Sequence, residues 1–172
     1  ARHKLNKPIV VADTGLLTKD NIASLEACGY EYIIGGRIKN ENQYIQKKIH
    51  SEEWTEGHII SIRKGKEQRL VVSYSENRAK KDRHNRKRGL MRLEKKIQRG
   101  RLTKSSINNR GYNKYIKKSG EVKVEIDYEK YEQDSQWDGL KGYMTNSRLS
   151  PKKIIENYSH LWFIERAFRI SK

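Results

Sequence analysis

The segment from residue 9 to residue 34 constrains the fold most, because it is patterned as a strand, a helix and a second strand. Residues 9–12 form an apolar, β-branched run, which is typical of a short buried strand. Thr18 is suited to cap a helix over residues 19–28, and residues 30–34 return to a β-like run. This order of elements predicts an α/β fold class.

Asp13 follows the first predicted strand directly, and Thr14 and Gly15 come next. In open α/β sheets ligands bind at the carboxyl ends of the strands, so a carboxylate at this point is a candidate for chemistry. Asp-x-Gly sequences are also typical of Asx turns and of helix entries. Asp13 is therefore a candidate metal ligand, with a turn residue as the alternative.

The last fifteen residues place a phenol, a carboxylate and cations along one side of a predicted helix. At about 100° per residue, Tyr158, Glu165 and Lys172 fall within about 60° of one another. Arg169 adds a further cation to this segment. A carboxylate can hold a divalent metal while phenolic and basic groups hold a nucleic acid strand on either side of it. The alternative is an amphipathic terminal helix whose charges are solvated.

This C-terminal pattern resembles the Y-x2-R-x3-E-x6-K signature of the DDE insertion-sequence transposases. Tyr158, Glu165 and Lys172 match its spacing, whereas Leu161 stands where the signature has Arg. A variant of the signature, Y-x3-W-x2-E-x2-F-R, is matched by five residues: Tyr158, Trp162, Glu165, Phe168 and Arg169. The departure at Leu161 puts the DNA-binding role of that position in doubt for this chain.

Two further segments resemble the same family. Residues 9–34 are similar to the segment with the second catalytic Asp, an apolar strand, A-D-x-G, a helix and Y-x-Y-I, and Asp13 takes the catalytic position. Residues 136–146, QWDGLKGYMTN, resemble a W/F-D-G-x-x-G-x-x-T-N stretch that precedes the catalytic helix in one branch. We interpret this stretch mainly as a turn at Asp138 between two short strands. Trp137 is a candidate for base stacking, and Asp138 is a reserve candidate for a metal ligand.

The resemblance implies a ribonuclease H-like catalytic domain that cleaves transposon-end DNA and transfers the freed strand to target DNA. In this family Mg²⁺, or Mn²⁺ as a substitute, is held by Asp, Asp and Glu. Asp13 and Glu165 would then be the catalytic metal ligands, and Tyr158, Arg169 and Lys172 would contact DNA. The family also implies a homodimer on paired transposon ends, in the nucleoid of a prokaryotic cytoplasm.

No Asp precedes Asp13 in the sequence, so the first catalytic Asp of the family has no counterpart here. We therefore expect a partial ribonuclease H-like domain, a C-terminal portion that binds DNA but does not cleave it alone. The predicted division is a core piece over residues 1–37, an insertion subdomain over 38–145, and a catalytic helix over 146–172. The insertion is predicted to be basic and β-rich and to precede the catalytic helix.

Within the predicted insertion, residues 52–75 alternate like a half-buried hairpin around a Lys64-Gly65-Lys66 turn, and residues 121–131 alternate like a strand. Residues 76–104 carry thirteen Lys or Arg against three Asp or Glu, with apolar residues at helical spacing. Contacts to several phosphates release counterions and dominate non-specific DNA affinity. The candidate DNA contacts are Arg83, Arg86, Lys87 and Arg88. A solvated helix or coil is the alternative.

Composition limits the classes of protein. With 172 residues of which 34% are hydrophobic, the chain can bury one core of modest size. The net charge of +17 favours a polyanionic partner, and no apolar run is long enough to span a bilayer. Cys28 is the only cysteine, which excludes disulfides within the chain and Cys-based zinc sites. No signal-peptide pattern is present, so a cytoplasmic location is expected.

Two other classes stay open. In a non-catalytic nucleic-acid-binding module, the basic helix and tyrosines such as Tyr112, Tyr115 and Tyr143 would bind the strand. Such a module gives Asp13 and Glu165 no reason to lie near each other. Another ribonuclease H-like nuclease, such as a junction resolvase, would share the metal site without strand transfer.

Overall fold

The computed structural model describes residues 8–16, 18–102, 106–108, 110–119 and 123–170; the side chains of Leu16, Lys123 and residues 162–170 lie outside this description. The described residues form seven strands: β1 Val10–Ala12, β2 Tyr32–Gly36, β3 Ile59–Lys64, β4 Gln68–Tyr74, β5 Ile116–Ser119, β6 Lys123–Ile126 and β7 Leu140–Thr145. The same part of the chain contains five α-helices: α1 Lys19–Ala27, α2 Gln43–His50, α3 Glu76–Gln98, α4 Tyr128–Gln133 and α5 Pro151–Ile170. The chain is thus mixed α/β, which confirms the predicted α/β class.

The chain divides into two compact units. Unit 1 contains the described residues up to Tyr74 and from Leu140 onward, and unit 2 is Ser75–Gly139. This division differs from the predicted boundaries at 37 and 145. Backbone pairing explains the difference, because β7 lies between β2 and β4 and joins the β3–β4 hairpin to the sheet of unit 1.

The sheet of unit 1 has the strand order β1-β2-β7-β4-β3, with β1 parallel to β2 and the other pairs antiparallel. Side chains alternate between its two faces. On one face Ile33, Val71 and Tyr143 pack with Ile154 of α5. On the other face Tyr32, Ile34 and Met144 pack with Ala12, next to Ile22 and Leu25 of α1. The sheet is therefore covered by α5 on one side and by α1 on the other.

The predicted strand-helix-strand unit is present, with its boundaries shifted by local hydrogen bonds. The Thr18 hydroxyl accepts from the backbone N–H of Asn21 at 3.1 Å and caps α1. At the other end Gly29 has φ +67°, and the N–H of Tyr30 donates to the Leu25 carbonyl at 2.9 Å. This Schellman-type end uses the Tyr30 backbone, so β2 begins two residues later than the predicted strand. The predicted β3–β4 hairpin is also confirmed.

Unit 2 consists of α3, the β5–β6 hairpin, α4 and two 3-10 turns, Gly111–Tyr115 and Asp134–Trp137. Its core contains Leu93, Tyr115, Ile116, Ile126 and Tyr131.

The predicted basic helix is present as α3 but ends at Gln98. Gly100, two residues further on, has a positive φ of +62°. The predicted strand over 121–131 was too long, because the Asp127 carboxylate accepts from the N–H of Lys130 at 3.0 Å and starts α4.

The predicted turn at Asp138 is present, but the element before it is a 3-10 turn rather than a strand. In the described ranges no helix is long and apolar enough to cross a bilayer.

Candidate active site

Asp13 lies at the carboxyl end of β1, and its side chain is exposed. Its Oδ1 accepts a hydrogen bond from the backbone N–H of Gly15 at 2.7 Å, which is an Asx turn. A carboxylate has about four acceptor positions on two oxygens, and this turn uses one of them. The turn therefore orients Asp13 and leaves it capacity to bind a cation, so the two roles considered from the sequence are compatible.

Tyr158 lies next to this turn. A Cβ placed on Gly35 would lie 2.8 Å from the Tyr158 hydroxyl oxygen and 2.5 Å from Thr14 Oγ1. Both oxygens therefore lie over the backbone of β2 at Gly35, and Thr14 is the neighbour of Asp13 in the chain. The structure thus brings the predicted DNA-binding phenol of α5 to the edge of the sheet that carries Asp13.

Two cations lie at the same edge and were not predicted from the sequence. The Lys141 ammonium lies 4.3 Å from the ring centroid of Tyr158 and 5.3 Å from that of Tyr143. The guanidinium of Arg37 donates to the Thr14 carbonyl at 3.3 Å. Because β7 is antiparallel to β2, the start of β7 meets the carboxyl end of β2, which brings Lys141 to this edge.

The Lys141 ammonium contacts both rings of an aromatic pair. The Tyr143 and Tyr158 rings are 5.0 Å apart between centroids and inclined at 72°, an edge-to-face arrangement. An ammonium over such rings is attracted by their quadrupoles. Lys141 lies inside the QWDGLKGYMTN segment but occupies a position that the motif leaves open, so the motif did not single it out.

Three predicted site residues follow Tyr158 in the chain. The backbone of α5 continues through position 165, seven residues or about two turns beyond Tyr158. The side chains of Glu165 and Arg169 and the whole of Lys172 lie outside the described residues.

The carboxylate of Asp13 is a ligand type that suits a hard cation. Asp13 offers exposed carboxylate oxygen, the ligand type that Mg²⁺ prefers. Among the side chains that the structure describes, no three His, Cys, Asp or Glu residues form a cluster that could hold a metal ion. Asp13 therefore fits as one ligand of a site that needs further carboxylates.

The predicted DNA contacts in unit 2 separate into two kinds. Arg83, Lys87 and Arg88 are exposed on α3. Arg86 differs from the prediction, because it is only 9% exposed and its guanidinium forms an ion pair with Asp138. Its central carbon also lies 5.2 Å from the ring centroid of Tyr131.

The Arg86–Asp138 ion pair joins α3 to the turn at Asp138 within unit 2. Burial lowers the pKa of Arg86, but the hydrogen bond and charge of Asp138 more than offset this effect, so the pKa of Arg86 is raised and its guanidinium stays charged. Asp138, the reserve metal-ligand candidate, is committed to this pair. The burial of Arg86 could have been predicted from the sequence, because Arg86 is seven residues from both Ala79 and Leu93 and shares their buried side of the helix. Trp137 is half-buried in a 3-10 turn, and its base-stacking role stays a prediction.

The fold is mixed α/β. The carboxylate of Asp13, the phenol of Tyr158 and the cations Lys141 and Arg37 lie at the carboxyl ends of its two parallel strands. A family model described as Transposase DDE domain matches residues 1–172, and the chain belongs to this family. Transposases of this family act on DNA and generally use divalent metals. Comparisons with curated proteins and with solved structures gave no match.

Proposed function

We propose that this chain acts in DNA transposition, with a ribonuclease H-like catalytic site that uses Asp13 and Glu165. The reaction would be attack by water, and then by a freed 3′-hydroxyl, on a phosphodiester of transposon-end DNA. The observation that carries the proposal is the position of Tyr158 over Gly35, beside the Asp13 turn. Tyr158 and Glu165 belong to one signature, and α5 is helical through both positions.

Asp13 and Glu165 would hold Mg²⁺, or Mn²⁺ in its place. A divalent ion in such a site supplies the charge that assists attack on a phosphodiester and departure of the leaving oxygen. The chain's own groups would position the DNA. Lys141 and Arg37 would contact phosphate oxygens at the sheet edge, and the Tyr158 hydroxyl would donate a hydrogen bond to the same strand.

We further propose that residues 1–172 bind DNA but do not cleave it alone. The family pattern needs a third acid, and the sequence has no Asp before Asp13. In the described part of the sheet, β1 pairs on one side only, with β2, so its other edge can accept a strand that supplies the missing carboxylate. Pairing of two copies on two transposon ends belongs to the same proposal.

The metal site can be tested by Mn²⁺ binding, followed by electron paramagnetic resonance. We expect weak Mn²⁺ binding that is lost in Asp13→Asn and in Glu165→Gln. Glu156→Gln is the matched control, because Glu156 is exposed on the same helix and lies about 160° around it from Tyr158. Equal Mn²⁺ binding by the wild type and both site variants would contradict the proposal.

Cleavage is tested on the same proteins with a nicked-product assay in Mg²⁺. We expect duplex binding without nicking. Strong nicking that Glu165→Gln abolishes would contradict the need for a third acid and would keep the metal site.

The second candidate function is a non-catalytic nucleic-acid-binding module, favoured by the exposed cations of α3 in unit 2. In that case DNA binding would persist while Mn²⁺ binding at Asp13 and Glu165 would be absent in the wild type. A junction resolvase would cleave branched DNA with the same metal site, and a target-joining assay on a chain that also carries the third acid separates it from a transposase.

A further inference from the structure

A cavity of about 410 Å³ lies beside the C-terminal half of α3, within unit 2. The described residues that line it include five cations and no Asp or Glu. The cations are Arg92, Lys95, Lys96, Arg99 and Arg101. A cavity with this lining attracts a ligand that carries several negative charges.

These five cations are not neutralised within the described part of the chain, where none of them forms an ion pair with an acid. The acids of α3 are engaged elsewhere. The Glu94 carboxylate accepts from the Tyr128 hydroxyl at 3.1 Å, and Asp82 accepts from the N–H of Gly139 at 3.2 Å. Because no acid among the described residues pairs with these cations, a polyanion gains most by binding there.

The cavity continues a stripe of exposed basic residues along α3. The stripe lies opposite the buried side formed by Ala79 and Leu93. Its members, which are three, four or seven residues apart, are Lys81, Arg88, Arg92, Lys95 and Arg99. At 1.5 Å per residue the stripe extends about 27 Å, which is roughly the length of eight base pairs of duplex DNA.

The wall of the cavity favours a phosphate backbone over unstacked bases. Tyr112 packs directly against α3 at Gly89, where a Cβ would lie 2.2 Å from its ring. One side of the ring is therefore covered by the helix backbone, and the ring is half-buried. Single strands bind by stacking bases on open aromatic faces, and this ring offers little such surface.

We propose that the basic stripe of α3 and the cavity at its C-terminal end form a docking site for the phosphate backbone of duplex DNA. The site needs no metal and reads no sequence, so it would hold DNA by counterion release alone. The choice of DNA as the polyanion rests on the proposed function, whereas the location of the site rests on the charges and geometry of unit 2.

The test is fluorescence anisotropy with a labelled 30-base-pair duplex in EDTA, between 50 and 200 mM KCl. Each phosphate contact contributes about 0.9 to the slope of log K against log salt. We expect Arg92→Gln/Lys95→Gln to flatten the slope by about 1.8 and to weaken binding about tenfold or more at 100 mM KCl. Lys47→Gln/Lys48→Gln removes the same charge from exposed positions on α2 and should leave the slope unchanged.

A second pair, Arg88→Gln/Arg99→Gln, should reproduce the loss if the whole stripe binds, and circular dichroism checks that both pairs keep the helix content. If the wild type binds the duplex and both stripe variants keep its slope, the docking site is wrong while the proposed function stands. Tighter binding of single-stranded DNA or of RNA than of the duplex overturns the ligand assignment. No duplex binding by the wild type overturns both proposals.

Discussion

The ammonium of Lys141 lies 4.3 Å from the ring centroid of Tyr158, which links the start of β7 to the middle of α5. The contact is formed at the edge of the sheet where Asp13 follows the end of β1. A cation is thus held by an aromatic ring beside a carboxylate that is a candidate metal ligand. Under the proposed function, Asp13 would hold the metal ion and Lys141 would contact a phosphate oxygen of the bound strand.

Lys141→Met should weaken both the fold and DNA binding. The loss of the cation–π contacts should lower the free energy of unfolding by about 0.5–1 kcal/mol. The loss of a phosphate contact should reduce the slope of log K against log salt for DNA binding by about 0.9. Urea unfolding and anisotropy titrations measure the two effects. Lys48→Met is the control on α2, and equal salt slopes for the two variants would exclude a phosphate contact by Lys141.

Gly35→Ala should disturb the candidate site directly. The added methyl group would lie 2.8 Å from the Tyr158 hydroxyl oxygen and 2.5 Å from Thr14 Oγ1, so one or both must move. Overpacking of this kind costs about 1–3 kcal/mol, measured by urea unfolding.

A double-mutant cycle identifies the clash at Gly35. Tyr158→Phe removes the hydroxyl, so Gly35→Ala should cost less in that background than in the wild type. Thr14 keeps its contact, so part of the cost should remain. An equal cost in both backgrounds would mean that Tyr158 is not the neighbour that matters.

Arg86→Met should destabilise unit 2 without altering the DNA contacts. It leaves the buried Asp138 carboxylate without its partner, and breaking a buried pair costs about 3–5 kcal/mol. Hydrogen exchange of the unit 2 backbone measures this loss. Where the variant remains folded, the salt slope of DNA binding should equal that of the wild type. A flatter slope would instead support the DNA contact that the sequence suggested for Arg86.

The stability of the chain should fall above pH 10 because of Tyr115. Burial, followed by the hydrogen bond and charge of Asp134, raises the pKa of Tyr115 above its usual value of 10. The unfolded chain loses this proton first, so stability is unaffected below pH 10 and decreases as pH rises further. The part of this decrease that is due to Tyr115 should approach about 1.4 kcal/mol per pH unit, and Tyr32, whose pKa is also raised by burial, contributes separately.

Tyr115→Phe should remove that part of the alkaline dependence. Urea midpoints at pH 8, 10 and 11 for the wild type and the variant measure the difference. The hydroxyl of Tyr115 donates to Asp134 at 2.6 Å, so the variant should also be less stable at pH 8. Identical alkaline slopes would show that the phenol does not control the transition.

The local elements could be predicted because their causes are local. The caps of α1 at Thr18 and Gly29, the hairpin turn at Gly65 and the helical spacing of α3 act over a few residues. Asp13 was located from its position after an apolar run, by the same kind of short-range reasoning. The family signature around Tyr158 and Glu165 was also readable, because a helix fixes the angular spacing of its residues.

The tertiary structure alone decided which of these elements meet. Strand pairing across 100 or more residues places β7 beside β2, and this pairing carries Lys141 to the Asp13 edge and assigns the β3–β4 hairpin to unit 1. Burial decided that Arg86 pairs with Asp138 instead of facing solvent. Periodicity and capping depend on neighbours in the chain, whereas sheet order and burial depend on contacts whose partners are far apart in sequence.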